Sequence, residues 1–237
     1  MSELAGRVVL VAGGTGALGG AVSLAFLAEG AEVVATYRRK EELDRLCGEA
    51  HDASRLEGTM ADVSDEKAAN ELVSQVISRR GRLDAVVNAV GSWAGGAKLW
   101  EADAGELDRM LAVNLRPCWT LSRAAAPRMV AQKSGAIVHV VSRAAVAHES
   151  GQAAYAAAKA AALALTDSLA ADLSGTGVRA NAVLPSVIDT EANRRAMPKA
   201  DFSKWPKPAD IARVIVFLCS DAARLIHGAA IPVYGNF

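Results

Sequence analysis

Residues 7–12, RVVLVA, form a short apolar run rich in Val. It leads straight into GGTGALGG at 13–20, and the chain then turns amphipathic in AVSLAFLAEG. This order of strand, glycine turn and helix constrains the fold more than any other stretch. It contains Gly14-x-Gly16-x-x-Gly19. Glycine takes a tight turn at no steric cost, and a bare backbone lets N–H groups approach a pyrophosphate at the start of the next helix. The motif also suits a plain strand-to-helix turn. Its position after a strand and before a helix favours the dinucleotide reading. The candidate cofactor residues of the turn are Gly13, Gly14, Thr15, Gly16, Ala17, Leu18 and Gly19.

The rest of the chain repeats the alternation. Val-rich runs predict strands near 7–12, 31–36, 56–60, 84–89, 135–141, 178–184 and 230–234. Helical patterns predict helices near 17–29, 40–50, 65–80, 104–131, 152–174 and 208–221. Such an order implies right-handed βαβ units and a doubly wound parallel sheet with helices on both faces. No linker, composition break or repeat divides the 237 residues, so a single Rossmann-like α/β domain over 1–237 is expected.

The end of the second strand is where a dinucleotide fold usually places an acid for the ribose 2′-OH. This chain has Tyr37, Arg38, Arg39 and Lys40, with no carboxylate before Glu41. A guanidinium pairs well with a 2′-phosphate. NADP is therefore expected as cofactor, with NADPH preferred over NADH. Arg38 carries that reading, while Lys40 suits a solvated helix start.

A second constellation lies in VVSRAAVAHESGQAAYAAAKAAALALT. Tyr155 and Lys159 are four apart in an Ala-rich helical run, so they share a face. The cationic amine is expected to favour phenolate and lower the phenol pKa. Ser142 closes the apolar run AIVHVV, which reads as a strand. One hydroxyl can then hold a carbonyl while the other moves a proton.

Formal net charge is zero, which gives no nucleic-acid-binding face. No apolar stretch reaches membrane-spanning length, so no membrane partner is expected. Cys47, Cys118 and Cys219 are odd in number and lack metal-ligand spacing. They read as free thiols of a cytoplasmic protein with no metal site. Residues 185–207 carry three prolines and little periodicity. Met197, Phe202 and Trp205 there suit either an apolar lid or an ordered surface loop.

The chain resembles the short-chain dehydrogenase/reductase family along almost its whole length. The resemblance rests on GGTGALG, Asp62-Val63, Asn88-Ala89-Val90-Gly91, Asn114 in MLAVNL, Ser142, YAAAK at 155–159 and VRANAVLPSVIDT. It implies Tyr155 as general acid/base. Lys159 would lower its pKa and bind the nicotinamide ribose, and Ser142 would polarise the carbonyl. Asn114 would hold a kinked helix and a relay water. By the same resemblance Asp62 and Val63 contact adenine, and Asn88, Ala89 and Gly91 flank the cofactor. Pro185, Val187, Ile188 and Thr190 would position the carboxamide. Departures are Ala12, Ala17, the Asn88–Gly91 sequence, Ser186 and the tail IPVYGNF.

GSWAGG at 91–96 and residues 188–205 are also similar to dihydropteridine reductase, although Arg38 and Ser142 depart from it. The expected function is NADP-dependent carbonyl reduction or alcohol oxidation. The alternatives are pteridine reduction and a non-catalytic NADP sensor. Trp93, His148 and Met197 are candidate substrate contacts, with His148 equally a solvated loop residue. The family usually forms dimers or tetramers. Some alanines of 152–174 must pack on the chain's own sheet, but the remaining face suits a partner helix, so a homodimer or homotetramer is expected, with 104–131 in the same contact.

Overall fold

A computed structural model describes residues 3–235. Seven strands form one sheet: β1 (Val8–Ala12), β2 (Glu32–Tyr37), β3 (Leu56–Met60), β4 (Ala85–Asn88), β5 (Gly135–Val140), β6 (Val178–Pro185) and β7 (Ala230–Val233). Their order is β3-β2-β1-β4-β5-β6-β7, and every neighbouring pair is parallel. The chain winds outward from β1 in one direction and then from β4 in the other. The reversal between β1 and β4 opens a crevice at the carboxyl ends of the strands.

The described residues also form eight α-helices, most of them packed on the sheet: α1 (Ala17–Ala28), α2 (Lys40–Glu49), α3 (Glu66–Arg80), α4 (Glu106–Asn114), α5 (Arg116–Gln132), α6 (Ala153–Asp172), α7 (Glu191–Ala196) and α8 (Pro208–Cys219). β1 shows why both faces must be covered, since all five of its residues are buried. Val9 and Val11 join Phe26 of α1 with Ile211 and Ile215 of α8 in one cluster. Val8 and Leu10 join Leu72 and Val76 of α3 with Leu121 of α5 in the other. Alternate side chains of a strand point to opposite faces, so one five-residue run feeds two cores. Burying each such side chain contributes about 1.5–3 kcal/mol.

Two expectations change. The helix read over 104–131 is two helices, broken at Leu115. Pro117 lacks an N–H and its ring crowds the Val113 carbonyl, so an uninterrupted helix is disfavoured there. The segment at 185–207 is not wholly irregular. It holds α7, capped by the Thr190 side chain at 3.2 Å from the Asn193 N–H, and a single turn at Phe202–Lys204. Phe202 packs on Trp205 and under Arg194, which is itself paired with Asp189. Phe202, Trp205 and Arg194 thus pack on one another within the segment.

Candidate active site

The glycine turn connects β1 to α1. Gly13 has φ 70°, a left-handed conformation, and its N–H donates to Thr36 Oγ1 at 2.8 Å. A Cβ at Gly14 would sit 2.7 Å from the Ala35 Cβ and 2.8 Å from the Val11 carbonyl. One at Gly19 would sit 1.9 Å from the Gly13 carbonyl oxygen. These two glycines permit the turn's own packing. Gly16 and Ala17, by contrast, are exposed. No side chain caps α1, so its first N–H groups stay free for an anion.

A trench runs from this turn in two directions. One arm, about 600 Å³, is lined by Thr15, Tyr37, Arg38, Glu42, Asp62 and Val63 among others. The other, about 340 Å³, is lined by Ala17, Leu18, Gly19, Trp93, Ser142, Tyr155, Lys159, Pro185, Ile188 and Thr190 among others. Both share Gly13, Gly16, Ala89 and Gly91, so the arms are continuous. Across the first arm, hydrogen bonds from Ser64 hold the Asp62 carboxyl below its usual pKa, and the Arg38 charge adds to this.

The second arm collects residues from three elements. Ser142 follows β5 and starts a short turn, its Oγ accepting the Ala144 N–H at 3.1 Å. Its own proton is then free to reach the Tyr155 oxygen. Tyr155 and Lys159 come from α6, and the Lys159 Nζ lies 5.9 Å from the Tyr155 ring centre. That Nζ donates to the Val140 carbonyl at 3.2 Å. Asn114, buried at the α4–α5 break, accepts the Ser92 N–H at 3.1 Å and donates to the Ser92 and Met110 carbonyls at 2.9 and 3.1 Å. Gly91 is squeezed between them: a Cβ there would sit 2.9 Å from Asn114 Oδ1 and 3.1 Å from Lys159 Nζ.

The electrostatics correct one expectation. The Tyr155 pKa is raised, not lowered: burial dominates, and the Ser142 hydrogen bond pulls only partly the other way. The Lys159 amine is turned to the Val140 carbonyl, 5.9 Å from the Tyr155 ring centre, and burial brings its own pKa down to about 8. A buried charge loses solvation, and among the described residues no carboxylate pairs with it.

Several candidate residues stand outside the trench lining. Gly14 packs beneath the turn. Arg39 reaches back to Glu42. Asn88 is wholly buried, donating to Cys118 Sγ at 3.1 Å and accepting the Val90 N–H at 3.1 Å, so it shapes the loop from below. Val187 and Met197 are partly exposed outside it. His148 lies in a separate groove beside Trp100 and Ala157, bonded to the Ala144 carbonyl at 3.1 Å. Another cavity, about 340 Å³, opens at the amino ends of the strands. Arg7 there pairs with Asp84 and Asp221, and Arg179 donates to the Ser220 and Ile226 carbonyls.

Sequence reading missed Glu42, Ser92 and Asn193 in the trench. It also missed His139 of β5, fully buried beneath the site. The Thr166 hydroxyl donates to the Ala162 carbonyl at 2.8 Å, so it accepts from His139 Nδ1 at 2.9 Å. Nε2 is then the acceptor for Ser122 Oγ at 3.1 Å. This neutral ring bridges α5, β5 and α6, and burial, with the Lys159 charge second, pulls its pKa down to about 4.

The unfolded chain takes up a proton near pH 6.5 that the folded chain refuses until about pH 4. Stability contributed by neutral His139 is therefore present above pH 6.5 and lost as pH falls through that window, by about 3 kcal/mol in all. Urea unfolding at pH 7 and 4.5 should show a shallower acid loss in His139→Asn than in the wild type. Equal slopes would refute the assignment.

Comparison with known proteins adds relatives to this geometry. A family model described as short chain dehydrogenase matches residues 7–201. A 3-oxoacyl-[acyl-carrier-protein] reductase of Thermotoga maritima is 32% identical over 99% of this chain and 98% of its own. A D-threitol dehydrogenase of Mycolicibacterium smegmatis is 32% identical over 99% and 94%. The solved structure of ElxO with NADP bound superposes with a TM-score of 0.91 at 26% identity, over 97% of this chain and 98% of that one.

Proposed function

This chain belongs to the short-chain dehydrogenase family and is an NAD(P)-dependent oxidoreductase, and from that premise we propose an NADP-dependent carbonyl reductase or alcohol dehydrogenase with Tyr155 as its general acid/base. The observation that carries the proposal is the trench. The glycine turn and Arg38 lie in one arm, and Ser142, Tyr155 and Lys159 in the other. Relatives named as an oxoacyl reductase and a threitol dehydrogenase support a carbonyl/alcohol substrate, and NADP-bound ElxO supports the cofactor class.

The turn suits a dinucleotide. Gly14 and Gly19 leave no room for a Cβ, and α1 begins without a side-chain cap. Gly13, Gly16 and Ala17 would hold the phosphates, Arg38 a 2′-phosphate, Asp62 and Val63 the adenine, and Pro185, Ile188 and Thr190 the carboxamide. When bound, the nicotinamide supplies or accepts the hydride. The protein handles the proton. Ser142 Oγ–H binds the substrate oxygen as charge develops, and Tyr155 Oη donates its proton to that oxygen in reduction or removes it in oxidation. The raised phenol pKa keeps that proton in place at neutral pH. Lys159 and Asn114 hold the Val140 and Ser92 backbone around the site. Trp93 is the candidate apolar contact for substrate.

A panel of carbonyl and pterin substrates, followed by loss of NADPH absorbance, tests the reading. Turnover of a carbonyl with NADPH is the expected result. Tight dinucleotide binding with no turnover would overturn it in favour of a sensor. In the same assay Arg38→Asp should raise KM for NADPH about tenfold or more and spare NADH, because a carboxylate cannot pair with a 2′-phosphate. Equal use of both cofactors by the wild type would remove the basis for an NADP preference.

Homo-oligomeric assembly belongs to the same proposal, in a cytoplasmic protein. Ala157 and Ala164 of α6 are exposed, and Leu99 and the 81% exposed Trp100 border the groove along that helix. Trp119 of α5 is exposed as well. Among the described residues no helix is long and apolar enough to cross a membrane. A second copy is the expected cover. Light scattering should give two or four times the chain mass of 24.6 kDa, and Ala164→Arg should reduce it. A stable single-chain mass would count against assembly.

A further inference from the structure

The first trench arm holds a carboxylate. Glu42 is the third residue of α2, and its side chain is 24% exposed. A Glu at that helix position commonly folds back on the backbone N–H at the helix start. Here its recorded hydrogen bonds go elsewhere. Oε2 accepts Thr15 Oγ1, in the glycine turn, at 3.2 Å. Oε1 accepts Arg39 Nε at 2.9 Å and a second guanidinium N–H. The carboxylate thus spans from the α2 start to the turn, and it lines the same arm as Arg38 and Asp62. The Arg39 hydrogen bonds hold its pKa below the usual range, so it is charged at neutral pH.

Charges of both signs therefore share the arm where an adenosine ribose would lie, Arg38 on one side and the carboxylates of Glu42 and Asp62 on the other. A carboxylate accepts hydrogen bonds from a free 2′-OH and repels a 2′-phosphate, whereas a guanidinium does the reverse. The adjacent cation, Arg39, is occupied by Glu42, which leaves Arg38 as the guanidinium of the pair that lines the arm. Resting on the cofactor reading above, we infer that Glu42 is a second determinant of cofactor choice, opposing Arg38 and restraining the preference for a 2′-phosphorylated dinucleotide. Removing its charge deletes the repulsion and releases Arg39 toward the phosphate.

Calorimetric binding of 2′,5′-ADP and 5′-ADP to the full chain reads this subsite without turnover. Glu42→Gln should raise the affinity ratio for 2′,5′-ADP over 5′-ADP about tenfold. Glu42→Asp, which keeps the charge, should stay near the wild-type ratio, and melting temperatures check that α2 remains folded in both. A ratio that moves less than twofold in Glu42→Gln, or moves equally in both variants, overturns the inference and leaves the cofactor reading standing. Failure of the wild type to bind either nucleotide overturns both.

Discussion

Tyr155→Phe is expected to cut kcat by about 10²–10⁴-fold, the usual cost of losing a general acid/base. The ring is retained, so packing in the trench persists and only the transferable proton is gone. Dinucleotide affinity should therefore stay within about threefold of wild type, because the phenol oxygen is not asked to hold the cofactor. The two readouts are kcat on the best substrate of the panel and a fluorescence titration of NADPH. Near-wild-type kcat would remove Tyr155 from the chemistry. A parallel loss of NADPH binding would make it a binding residue instead. Burial also fixes the pH sense. The phenol carries its proton across the neutral range, so the reduction rate should fall only on the alkaline side.

Gly19→Ala is expected to be the most damaging single methyl in the cofactor turn. The new Cβ would lie 1.9 Å from the Gly13 carbonyl oxygen, a backbone atom, and the Cβ is itself fixed directly on the main chain. Neither can swing aside, so the turn must open. Overpacking of this kind costs about 1–3 kcal/mol or more. The opened turn would also misplace the α1 start, and dinucleotide binding should weaken about 100-fold or more. Gly20→Ala is the control, one residue on in the same helix, since its nearest neighbour would be the Leu46 side chain at 3.7 Å. Thermal melting and dinucleotide titration of both variants decide the matter. If Gly19→Ala binds as tightly as wild type, the turn is not the phosphate cradle.

The strand, turn and helix at β1–α1 were legible because their signals are local. The apolar Val-rich run, the glycine spacing and the helical period that follows all act within about a dozen residues. The same holds for each of the seven strands, whose predicted limits differ from the observed ones by a residue or so. The α4–α5 break was harder to read. Pro117 is visible in the sequence, but proline is also welcome in the first turn of a helix, so it marks a restart as readily as a continuation with a kink. The short helix inside segment 185–207 was missed because six residues carry too little periodicity to register; its Thr190 cap and the Phe202–Trp205 pair each span only three residues and fit the ordered-loop reading.

In the site, the sequence by itself placed Ser142, Tyr155 and Lys159 as one constellation and located the glycine turn, since these depend on spacing along two elements. It determined the parallel sheet in the same way, from the alternation of short apolar runs with helical patterns. The tertiary structure decided which charges meet. Glu42 reaches Thr15 across 27 positions of chain, and His139 joins hydroxyls from two helices. It also decided the sign of the Tyr155 shift. A Lys four residues away is readable from sequence and argues for a lowered pKa. Burial of the phenol, and the turning of the Lys159 amine to the Val140 carbonyl, exist only once strands and helices have packed, and there desolvation outweighs the opposing Ser142 hydrogen bond.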